Sequence, residues 1–173
     1  MTGRNLHIGG RQRCQGWEIL NIQDFEGVDH VGDAASLSRF EAGTFERLYA
    51  SHVLEHFPFA QVPAVLREWG RVLVPQGRLY LSVPDLSVLC ELFQSDALSL
   101  QERFEVMKII YGGQVDACDF HHVGFDRDLL GDVLPQSGFR KLRFVDHLGL
   151  FDDTSDLELH GRQISLNVIA GKA

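Results

Sequence analysis

The stretch from Phe45 to His56 limits this chain's fold more than any other. Leu48-Tyr49-Ala50 is a short apolar and aromatic run that reads as a buried strand, and Ser51-His52 ends it with groups able to hydrogen-bond a ligand. Val62, Val65, Leu66, Trp69, Val72 and Leu73 then recur at helical spacing, giving one apolar stripe. Pro63 suits that helix's first turn, and Val74-Pro75-Gln76-Gly77 stops it in a turn. Leu79, Leu81 and Val83 alternate in a following strand that ends at Pro84-Asp85. In open α/β sheets ligands sit outside the carboxyl ends of strands, so Ser51-His52-Val53-Leu54-Glu55-His56 puts two imidazoles and a carboxylate where a pocket belongs.

The remaining segments extend the same alternation. Leu6-His7-Ile8 is a strand broken by Gly9-Gly10; Ile19–Ile22 is a second and Val28–Val31 a short third. Ala34–Phe40 reads as one or two helical turns. Asp85 caps a helix facing inward with Leu86, Leu89, Leu92 and Phe93. Ser99-Leu100-Gln101-Glu102 is a capping box for a helix running to about Tyr111. A loop, Gln114–Phe125, carries His121 and His122, and Asp126 caps a last helix. Arg140–Val145 and Gln163–Ala170 are separated only by a loop and pair antiparallel at or beside the sheet edge. The order implies an α/β fold: a Rossmann-like, mostly parallel sheet with helices on both faces and an antiparallel C-terminal strand pair, in a single domain over 1–173.

Composition excludes several classes. A formal net charge of −8 without clustered Lys and Arg argues against nucleic acid as a partner. No apolar run is long enough to span a membrane, and Met1–Asn5 lacks a signal peptide's apolar core. Cys14, Cys90 and Cys118 are widely spaced and odd in number, which favours free thiols over disulfides or a zinc knuckle. A cytoplasmic location is the expectation; the oligomeric state is open.

Four motifs in order carry a resemblance: Leu6-His7-Ile8-Gly9-Gly10, Val31-Gly32-Asp33-Ala34, Tyr49–His56, and Arg71–Leu79 with its Val74-Pro75-Gln76-Gly77. Together they resemble a class I S-adenosylmethionine-dependent methyltransferase. Gly112-Gly113-Gln114 and Asp119-Phe120-His121 are further similar to motifs of small bacterial methyltransferases. The resemblance implies S-adenosyl-L-methionine as cofactor and methyl transfer to an acceptor, with a small molecule favoured by the absence of a basic face. It implies cofactor binding by Gly9, Gly10, Arg11, Gln23, Asp33, Ala34, Ser51 and His52, with Gln23 where the family has an acid for the ribose hydroxyls. An ordinary strand-ending turn would use the same glycines, and Asp33 could serve equally as a helix N-cap. The connection from Gly10 to Ile19 is too short for a crossover helix, so Arg11 or Arg13 is expected to supply the positive charge that a helix N-terminus would give.

The histidines admit several readings. His121, and with it His56, is a candidate general base for an acceptor, because imidazole titrates near working pH. Glu55 and His122 are candidate acceptor-binding groups. The alternative readings are a capping or packing role for His56 and a merely solvated Asp119–His122 loop. His52-Val53-Leu54-Glu55-His56 also spells an inverted zincin pattern, with His52 and His56 as zinc ligands and Glu55 as base. Pro58 leaves little room for the helix such a site needs, so no metal site is expected, and a zinc hydrolase ranks behind the two other readings. These are a small α/β methyltransferase and a non-catalytic binding module of the same fold with a degenerate cofactor site.

Overall fold

The computed structural model describes residues 3–173; Met1 and Thr2, which begin the single domain expected over 1–173, lie outside them. The chain runs β1 (Arg4–Ile8), β2 (Glu18–Asn21), β3 (His30–Val31), β4 (Phe45–Ser51), α1 (Val62–Val72) and β5 (Leu73–Pro84). It continues through α2 (Leu86–Phe93), α3 (Leu100–Tyr111), α4 (Arg127–Gln136), β6 (Phe139–Val145), a small hairpin of β7 (Glu158–Leu159) and β8 (Arg162–Gln163), and β9 (Ser165–Lys172). One seven-stranded sheet has the order β3-β2-β1-β4-β5-β9-β6. Strands β1 to β5 pair in parallel; β9 pairs antiparallel with both β5 and β6, so the C-terminal pair lies at the sheet edge as its sequence indicates.

Side chains alternate along each strand and so define two faces. Leu6, Ile8, Leu48, Ala50, Leu79, Leu81, Val168 and Ala170 join α1 and α4 in the main core, around the fully buried Trp69 and Phe139. The opposite face carries Tyr49 and Tyr80, which pack with Trp17, Leu148, Leu150 and Phe151. The 3-10 turn Thr154–Asp156 packs against β5 and β9. Helices α2 and α3 pack on each other and on Ile164 as a separate cluster beyond the end of β5.

The expected caps form: Asp85 accepts from the Ser87 and Val88 amides, Asp126 from Leu129, and Ser99 and Glu102 close a capping box. Ala34–Phe40, in contrast, is two tight turns and no helix. Its backbone is satisfied from α1 instead. The Arg71 guanidinium donates to the carbonyls of Leu37 and Phe40, and Glu68 accepts from the Leu37 amide, so helical bonds are not needed while Leu37 and Phe40 still reach the core.

Candidate functional site

The sheet order reverses between β1 and β4: β2 and β3 follow on one side of β1, and β5 continues on the other side of β4. This is the switch point at which open α/β sheets form a crevice. Here the crevice encloses about 840 Å³, within the size of small-molecule sites. Gly9, Gly10, Arg11, Gln23, Asp33 and Ala34 line it, as do Ser51, His52, His56 and His121.

Gly9 ends β1 at φ +77°, a conformation that favours glycine, and its amide continues the ladder to the Leu20 carbonyl at 2.8 Å. A Cβ there would stand 2.6 Å from a Val53 methyl, and one on Gly10 would stand 2.7 Å from the His7 ring. Close packing therefore demands both glycines. The buried Asn21 locks the turn: its amide donates to the Gly10 carbonyl at 3.1 Å, and its oxygen accepts from the Gln23 backbone at 2.9 Å. No helix follows β1, as the short connection requires. Arg13 pairs with Asp29 at 3.6 Å and does not line the crevice, which leaves Arg11 as the basic group of this segment on it. Arg11 reaches the Gln23 side-chain oxygen at 3.5 Å, and the Gln23 amide donates to Asp116 at 3.3 Å, so Gln23 links the glycine turn to the 114–119 loop. Asp33 spends one carboxylate oxygen on the Ala35 amide at 2.8 Å. The crevice thus has a cationic group, an anionic group and room for an adenosyl amino acid, so its residues fit that cofactor.

One wall is aromatic. The His7 ring lies 4.1 Å from Phe151 and 4.8 Å from Tyr49 between centroids. The Tyr49 hydroxyl donates to the Asp153 carboxylate at 2.9 Å, and the Ser51 and Thr154 hydroxyls meet at 2.9 Å. These bonds dock Phe151–Thr154 on the ends of β1 and β4. Sequence reasoning misses His7, Asn21, Phe151 and Asp153; the only local signal is a polar residue among the buried positions of β1 and β2.

The second motif pair of the resemblance is one folded unit. Gly112 sits at φ +84°, and a Cβ there would stand 2.4 Å from the Asp119 carbonyl oxygen. Gln114 donates to that carbonyl at 2.9 Å, and His121 returns to the Tyr111 carbonyl at 3.1 Å. The His122 amide then donates to the Glu55 carbonyl at 2.8 Å, fastening the loop to the turn after β4.

That contact gathers an imidazole–carboxyl cluster. Residues 54–56 form a single 3-10 turn, and His52 adopts φ +52° at the strand end, so His52 and His56 do not share a helix face. The helix that the inverted zincin pattern needs is absent. Glu55 is corrected too: it is 1% exposed and lies behind the crevice wall, because the turn directs it inward. His122 is exposed and outside the lining. A Glu55 oxygen lies 3.7 Å from His52 Nδ1 and 3.9 Å from His121 Nε2, and the His56 and His121 rings meet edge-on at 4.7 Å. Both Glu55 oxygens lack a hydrogen-bond partner among the described residues. Ser165 spends its proton on the Thr154 carbonyl at 2.6 Å, so His52 Nε2 donates to Ser165 at 2.9 Å and Nδ1 keeps its lone pair. Burial holds His52 and His121 down at about 4 and lowers His56, while burial pushes Glu55 up to about 8. At neutral pH the imidazoles are uncharged and the carboxyl is mostly protonated.

A family model described as a methyltransferase domain matches residues 13–81, from the loop before β2 into β5. A comparison with curated proteins gives no match. Among solved structures, a S-adenosylmethionine-dependent methyltransferase from Archaeoglobus fulgidus is 15% identical with a TM-score of 0.63, over 98% of this chain and 86% of that one. One from Methanosarcina mazei is 18% identical with a TM-score of 0.58, over 98% and 92%. The CurJ carbon methyltransferase is 14% identical with a TM-score of 0.60 over 98% of this chain, which spans about half (48%) of that protein. At such identities the structural likeness is one of fold. The chain therefore has the fold of S-adenosylmethionine-dependent methyltransferases, and its segment 13–81 matches a methyltransferase domain.

Proposed function

We propose that the chain transfers a methyl group from S-adenosylmethionine to a small-molecule acceptor. The observation that carries this reading is the crevice at the sheet's reversal, bounded by the Gly9-Gly10 turn and Asp33 and rimmed by His56 and His121. Gly9, Gly10, Ala34, Ser51 and His52 would shape the cofactor's bed, with Asp33 accepting from the adenine amine and Arg11 facing the carboxylate. Bound there, the cofactor supplies a methyl group on a sulfonium, which departs as a neutral thioether. His121 is uncharged at neutral pH, so its lone pair is free for the acceptor's proton. Burial holds it at about 4 and makes it a weaker base than the free imidazole that its sequence suggests; His56 meets its ring edge-on. Positioning of the reactants supplies much of the rate. The charge balance favours a small acceptor over a nucleic acid: a net −8 offers no cationic field for phosphates.

Calorimetry with S-adenosylmethionine and S-adenosylhomocysteine tests the reading. Arg11→Ala should weaken both affinities by roughly three- to tenfold, the range of one exposed charge contact. His121→Ala should retain affinity and lose turnover. A second reading, a binding module without catalysis, draws on the missing helix after β1 and on Gln23, whose amide is engaged at both ends. Binding of both ligands with no turnover across an acceptor screen would favour it.

A further inference from the structure

We propose that Glu55, His56 and His121 bind a divalent transition-metal ion at the crevice rim. Their donor atoms lie within 4.8 Å of one another, on two segments joined by the His122–Glu55 backbone bond and by the bond between the His56 ring and the Phe120 carbonyl. The donor set is two imidazoles and one carboxylate, the combination of open metal centres that keep positions for a substrate. It is also a different set from the His-x-x-Glu-His reading: there Glu55 acts as a base between two ligands, whereas here it is itself a ligand.

Three features point to an ion. Glu55 is 1% exposed with neither oxygen hydrogen-bonded among the described residues, and a buried carboxyl in that condition calls for a missing partner. The His56 ring is already oriented by a bond between Nδ1 and the Phe120 carbonyl at 3.2 Å, which leaves Nε2 for an ion. Outer carbonyls hold metal-bound imidazoles in the same manner. Finally, His52 Nδ1 adds a fourth lone pair 3.7 Å from the same carboxyl oxygen. Tetrahedral ligands about 2.1 Å from zinc stand about 3.4 Å apart, so closing the cluster needs an inward shift of up to roughly 1.4 Å, within the reach of side-chain rotation. Nitrogen donors disfavour Mg²⁺ and Ca²⁺, which take oxygen ligands.

Because His56 and His121 line the crevice and Glu55 lies behind them, the ion's open positions would face an acceptor. That part of the inference rests on the methyl-transfer reading and changes one role within it. With His121's lone pair on the ion, acidification of an acceptor hydroxyl passes from the imidazole to the metal's charge, and the acceptor becomes an oxygen compound able to ligate.

The test is titration of the chelator-stripped protein with Co²⁺ alone, followed by visible absorption. The wild type should saturate at one equivalent, without the near-ultraviolet sulfur-to-cobalt band that the exposed cysteines would give. Glu55→Gln and His121→Ala should each weaken binding by more than about tenfold, since losing even an outer partner costs 10–100-fold. Circular dichroism checks their folding, and His56→Gln provides a third variant if one fails to fold. A wild type that takes up no cobalt, a band that survives in these variants, or a sulfur band would each overturn the proposal. S-adenosylhomocysteine calorimetry on the same samples is read separately: failure of that binding speaks against the methyltransferase reading and leaves the metal result standing.

Discussion

His7 stands in β1 with its ring between Tyr49 and Phe151 and its Nδ1 buried without a partner among the described residues. Burial holds its pKa at about 4, against which the nearby Asp153 charge is the smaller effect. The unfolded chain binds a proton near pH 6.5 and the folded chain does not until about pH 4. Stability from this residue is therefore complete above about pH 6.5 and is lost as the pH falls towards 4. At pH 5 the loss reaches up to about 2 kcal/mol, at 1.36 kcal/mol for each pKa unit. Glu55 runs the other way: its raised pKa favours the folded state at low pH, and that contribution fades as the pH rises from about 4.5 to 8. Comparison with His7→Phe cancels Glu55 and isolates His7. Phe keeps the ring stack, so the variant should match or slightly exceed the wild type at pH 7 and gain up to about 2 kcal/mol on it at pH 5. Urea unfolding at the two pH values measures this, and an unchanged gap would refute it.

Among the elements, the loop from Gly112 to His122 shows why two short motifs travel together. The glycines make room for Asp119: a Cβ on Gly113 would stand 2.7 Å from its carboxylate oxygen. Gly112→Ala should thus destabilise the protein by roughly 1–3 kcal/mol through the positive φ and the Asp119 carbonyl contact. It should also shift His121, and so depress turnover more than S-adenosylhomocysteine affinity. Thermal unfolding and calorimetry read the two effects apart; an unchanged midpoint would sink the account. Elements whose signals are local were legible in the sequence. Asp85, Ser99 and Asp126 bond amides two or three positions on, and α1 shows its buried stripe directly. Ala34–Phe40 was not legible, because what fixes it is Glu68 and Arg71, about 30 positions away.

For the whole molecule, the strand ends that form the site could be read in order, because each is a hydrophobic run stopped by glycine or a polar residue. The walls between them could not. Tyr49 and Asp153 are separated by 104 positions, His52 and Ser165 by 113, and no local pattern announces either pair. Glu55 was misplaced for a related reason: its direction depends on whether residues 54–56 form a helix or one 3-10 turn, and the loop that packs on them arrives some 65 residues later. The crevice consequently draws on the first turn, the ends of β2, β3 and β4, the 115–119 loop and Phe151–Thr154 at once. A ligand that bridges these segments binds the folded chain and not the unfolded one, so it must raise stability by mass action. S-adenosylhomocysteine at 100 times its dissociation constant should add about 2.7 kcal/mol. For a chain of this length that corresponds to roughly 5–11 °C in the thermal midpoint. Arg11→Ala should shrink the shift at the same ligand concentration, whereas Arg13→Ala, outside the crevice, should leave it in place. No shift with the wild type would mean that the crevice does not hold this ligand.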